Sequence, residues 1–96
     1  MNIQSYIDRK REAGKREHEG RQTDWAGWTR ERYISAAASE LLDTCAYAQR
    51  AMEVAQKTQD AELYRASQFI FGGASELLRG LEESDLEAAC QEAEQE

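Results

Sequence analysis

Apolar side chains recur along much of this chain at helical spacing and nowhere alternate over a strand's length. The most regular stretch is Ile34, Ala38, Leu41, Cys45, Ala48, Met52 and Ala55, spaced alternately by four and three residues. That is a heptad seam. With Thr29 as N-cap it predicts one helix over 29–57, about 40 Å long at the α-helical rise. Ala37, Ala51 and Val54 widen the stripe, and its many alanines predict close approach of a second helix.

Thr58-Gln59-Asp60 breaks the pattern. Asp60 caps the next helix, and Glu62 in the first turn suits the helix dipole. Over 60–80 the seam reads Leu63, Ala66, Ile70, Gly73, Leu77 and then Leu81, with Phe69, Phe71 and Leu78 on other faces. A helix apolar on more than one side must be buried on more than one side. Gly72 and Gly73 each cost about 1 kcal/mol relative to alanine inside a helix, a sacrifice that close helix contact or a kink would explain. Gly80 ends the element.

The flanks are more polar. Residues 3–19 read as a helix with a capping box at Ser5 and Asp8 and only Ile3, Tyr6, Ile7 and Ala13 as apolar content. Glu12–Arg16 and Lys15–Glu19 are i,i+4 pairs worth a few tenths of a kcal/mol. Gly20, Thr23-Asp24 and Gly27 mark a linker holding Trp25 and Trp28, which predict either a plug for the bundle end or a binding hot spot. Ser84 with Glu87 predicts a capping box for a last helix over 82–96. The expected fold is therefore all-α and a single domain: a charged arm (1–20), an antiparallel hairpin core (29–80) and an acidic tail helix.

Composition sharpens this. The 96 residues include no proline, consistent with uninterrupted helices. No apolar run exceeds four residues, so no membrane span is expected, and the N-terminus lacks a signal-peptide stretch, which predicts a cytoplasmic location. Apolar residues are 41% of the chain, a thin core, and the surplus apolar surface predicts a homo-oligomer, most simply a two-fold dimer. The net charge of −7 divides unevenly: residues 1–32 carry eight bases and six acids, while 33–96 carry four bases and thirteen acids. No Lys or Arg follows Arg79. This balance argues against direct nucleic-acid binding.

Candidate chemistry is sparse. His18 is the sole histidine, Cys45 lies in the apolar seam, and Cys90 has no basic neighbour in sequence. No phosphate loop, zinc motif or calcium loop is present. Glu40 and Asp43 are i,i+3 on the long helix, and the hairpin register places Glu76 level with them. Three carboxylates there would suit Mg²⁺. Arg9, Arg11, Arg16 and Arg79 are the candidates for holding a small anionic ligand.

The run Glu31 to Tyr47, ERYISAAASELLDTCAY, resembles the second helix of the MazG-like all-α nucleotide pyrophosphohydrolases, and the preceding tryptophans resemble those of shorter phage members. The resemblance implies a carboxylate pair on one helix and an ExxD pair on the next, together holding Mg²⁺ for attack of water on a nucleoside triphosphate. Glu40-Leu-Leu-Asp43 matches the first pair. Ser39 stands where a further Glu is common, and Glu76-Leu-Leu-Arg79 carries a cation where the second pair needs Asp. The residues themselves favour a different expectation: a non-enzymatic, acidic protein–protein interaction module that meets a basic surface. Its binding side chains would be Trp25, Trp28, Glu82, Glu83, Asp85 and Glu87, acting as phage-encoded inhibitors of bacterial nucleic-acid-binding or defence complexes do by acidic mimicry.

Overall fold

The computed structural model describes residues 2–17 and 27–94, with backbone alone at 14–17 and 92–94. The fold is all-α. Among the described residues four helices run in the order α1 (Ile3–Glu17), α2 (Arg30–Thr58), α3 (Ala61–Arg79) and α4 (Glu83–Glu94). None of them is long and apolar enough to cross a membrane.

Local chemistry sets the boundaries. Thr29 Oγ1 accepts the Arg32 N–H at 3.1 Å and opens α2. The turn to α3 takes only Gln59 and Asp60. Gln59 adopts the left-handed region (φ 58°, ψ 39°), and the Asp60 N–H then returns to the Ala55 carbonyl at 2.9 Å, a Schellman closure. The Asp60 carboxylate accepts the Leu63 N–H at 3.0 Å and opens α3. Gly80 closes it, donating to the Leu77 carbonyl at 3.2 Å.

Two caps differ from the sequence reading. Asn2 Oδ1 accepts the Ser5 N–H at 3.2 Å, so Asn2 caps α1 and Ser5 lies within the helix. Asp8 instead accepts from the Gln4 side chain at 2.9 Å. Helix α4 begins at Glu83, which places Ser84 inside its first turn rather than at the cap.

The α2–α3 pair is the body of the molecule, and α4 folds back across α2. Ala38, Leu78 and Ala89 form a buried cluster from the three helices, with Leu41, Leu42, Cys45, Leu81 and Leu86 packed around it. On α2 the buried or half-buried positions include every member of the predicted seam. The core is made mostly of small residues: Ala38, Ala48, Ala55, Ala74, Ala89, Ser35 and Ser67 are buried together with Leu78, and among the described residues no large side chain is fully enclosed.

On α3 the structure corrects the seam. The helix turns Ser67, Phe71, Ala74 and Leu78 toward the core, while Ala66, Ile70, Gly73 and Leu77 are exposed. Both sets have helical spacing; they are stripes on different sides of the same helix. The alanine face of α2 accepts the set with small residues at its centre, because two such faces approach closely and gain dispersion contacts that bulky aliphatics would prevent.

Candidate functional surfaces

The carboxylates of the metal reading lie on outward faces. Residues two apart on a helix differ by about 200° in direction. Glu40 follows buried Ala38 by two, Asp43 precedes half-buried Cys45 by two, and Glu76 follows buried Ala74 by two. All three are exposed, and no group of three His, Cys, Asp or Glu placed to hold a metal occurs among the described residues. Glu76 instead accepts from Arg79 at 3.0 Å, an i,i+3 pair with both side chains about three-quarters exposed. Such a pair contributes little to stability. Direction around the helix turns Glu76 away from α2.

Of the proposed anion-binding arginines, Arg9 and Arg11 are not brought together. Arg9 and Arg11 leave α1 on opposite sides by the same two-residue rule, and Arg9 rests 5.8 Å from the Tyr6 ring centroid. Arg79 is the partner of Glu76. The side chain of Arg16, like Trp25 and His18, lies outside the described residues.

Trp28 is half-buried at the entry to α2. Its ring stands 5.2 Å from that of Tyr33 and 4.4 Å from the Arg32 guanidinium carbon. These contacts fasten the chain entering α2 to the helix's first turn; they do not reach the hairpin core.

The acidic end is better ordered than its charge alone would suggest. Leu86 and Ala89, at helical spacing, face inward, and Ala89 is 1% exposed. That anchor leaves Glu82, Glu83 and Glu87 exposed and Asp85 half-buried at the edge. Glu83 and Asp85 in the first turn complement the helix dipole. Glu83 and Glu87 are like charges at i,i+4, an arrangement that costs a few tenths of a kcal/mol. Gln91 donates to Glu87 at 3.5 Å, and no base from this end of the chain offsets the charge.

Two features were invisible to the sequence reading as sites. A shallow depression of about 460 Å³ lies at the hairpin turn, lined by Gln59, Asp60, Tyr64, Arg65 and Gln68 among others. The second is the exposed strip on α3: Phe69 is 84% exposed, Leu77 65% and Ile70 50%. Ile70 and Leu77 of that strip were read as the packing seam, and Phe69 as lying on another face. Both cysteines are free thiols, Cys45 packed beside the core cluster and Cys90 exposed. No family model, curated protein or solved structure matches the chain.

Proposed function

We propose that this chain is an acidic helical interaction module whose α4 surface meets a basic protein surface, of the kind that nucleic-acid-binding proteins present to phosphates. The observation that carries this reading is the anchoring of α4. A free acidic tail would spread its charge over many conformations, whereas α4 is held on α2 by Leu86 and Ala89 and displays Glu82, Glu83 and Glu87 outward. A fixed array of one sign raises association rates and selects partners by complementary potential. The like-charge spacing of Glu83 and Glu87 is unfavourable for the helix itself, as expected of residues kept for contact rather than stability.

The chain's chemistry agrees. No Lys or Arg follows Arg79, so the charges at this end are all of one sign. The test is a fluorescence-anisotropy titration with a labelled octa-arginine peptide. Binding is expected at low ionic strength and is expected to weaken steeply as salt rises. Absence of binding at low salt would overturn the proposal.

A further inference from the structure

The exposed strip on α3 has a partner argued by its own pattern. Its axis runs through Ala66, Ile70, Gly73 and Leu77, spaced four, three and four: a heptad seam turned about 100° away from the face that packs on α2. The seam alternates small, large, small, large. Gly72 and Gly73 serve no need within the chain. A Cβ built on either meets nothing within 4 Å, and neither has a positive φ. Both nevertheless weaken the helix.

We propose that the α3 strip is the interface of a homodimer in which α3 packs antiparallel on α3 of a second copy. Two independent patterns select that arrangement. Size comes first. Running antiparallel, Ile70 of each chain meets Gly73 of the other and Leu77 meets Ala66, so a large side chain enters a small position in every layer. A parallel, in-register pair would set large on large and small on small.

Geometry comes second. One flank, Ser67 and Ala74, is already buried in the hairpin. Only the same flank of each chain is free to meet its copy, and an antiparallel two-fold brings like flanks together.

The strip is small. Covering Phe69, Ile70, Leu77 and their flanks in both chains removes on the order of 1,000 Å² from water, the lower end for specific interfaces. Dimerisation is therefore concentration-dependent. This surface is separate from the acidic face of α4, so the two proposals stand or fall apart.

Light scattering and sedimentation of the full chain over a concentration series test it. Wild type is expected as a dimer that dilutes to monomer. Gly73→Leu adds a good helix former into open intrachain space, so its helical circular dichroism should be unchanged while dimer is lost. Leu77→Ala, at a side chain exposed in the single chain, should weaken dimerisation by about tenfold. A monomer at every concentration overturns the proposal, as does a Gly73→Leu variant that dimerises normally. A Leu77→Ala variant that dimerises as tightly as wild type overturns the antiparallel register. Octa-arginine binding is read on the same samples: its loss with dimer intact counts against the α4 surface alone.

Discussion

Two serines are buried to nearly the same degree, and replacing each with alanine should have different results. Ser35 on α2 is 4% exposed and Ser67 on α3 is 3% exposed. The Ser67 hydroxyl donates to the Leu63 carbonyl at 2.7 Å. The Ser35 hydroxyl has no hydrogen-bond partner. Leaving a buried hydroxyl unpaired costs about 1–3 kcal/mol, and serine in a helix interior costs about 0.5 kcal/mol relative to alanine. Ser35→Ala removes both penalties and loses only the dispersion contacts of one oxygen. A net gain of about 1–2 kcal/mol follows, or about 5–15 °C in Tm for a chain this size. For Ser67→Ala the propensity gain is offset by the lost hydrogen bond, leaving a change within about 1 kcal/mol of zero. Thermal and urea melts followed by circular dichroism, at one fixed protein concentration, give both numbers. A Ser35→Ala variant no more stable than wild type would refute the reasoning, because it would mean that the hydroxyl finds a partner in solution.

Three further outcomes are expected. Gln59→Gly should stabilise the hairpin by about 0.5–1 kcal/mol, since glycine occupies the left-handed position without the Cβ strain that Gln59 bears; a lower urea midpoint would contradict this. Glu87→Lys converts a repulsive i,i+4 pair with Glu83 into an attractive one, so the melt should rise by a few tenths of a kcal/mol while octa-arginine affinity falls; rising affinity would contradict the assignment of this face. Mg²⁺ with a panel of nucleoside triphosphates should leave the melting temperature unchanged, because the outward-facing carboxylates Glu40, Asp43 and Glu76 form no joint site; a shift that Glu40→Gln or Asp43→Asn abolishes would restore the pyrophosphohydrolase reading.

Much of the fold was legible because alanine, threonine and aspartate act locally. Thr29 and Asp60 cap where their side chains reach the free N–H groups of the next turn, and the α2 seam repeats with one period over its whole length. Helix α3 was harder for a physical reason. It carries two stripes at helical spacing, and hydrophobicity ranks Ile70 and Leu77 above Ser67 and Ala74. Packing ranks them the other way, since the alanine face of α2 leaves little room between the axes. The deciding information lay on the other helix. The same omission explains the carboxylate trio: matching levels across the hairpin sets height but not direction, and Glu76 stands two residues from Ala74. At the N-terminus, Asn2 is as good a capping residue as Ser5, and its place ahead of Ile3 was the available signal. The acidic end was visible as composition, whereas its anchoring depended on Ala89 meeting Ala38 and Leu78.

The most direct test of the α4 surface compares two variants that change the net charge equally. In one, Glu82, Glu83 and Glu87 become glutamine; in the other, Glu31, Glu40 and Glu53, exposed on α2, become glutamine. Octa-arginine affinity is measured for both at one ionic strength. An ordered acidic face on α4 predicts that the first variant loses most of its binding and the second stays close to wild type. Equal losses in the two would show that net charge alone drives the attraction, and would contradict a specific surface on α4.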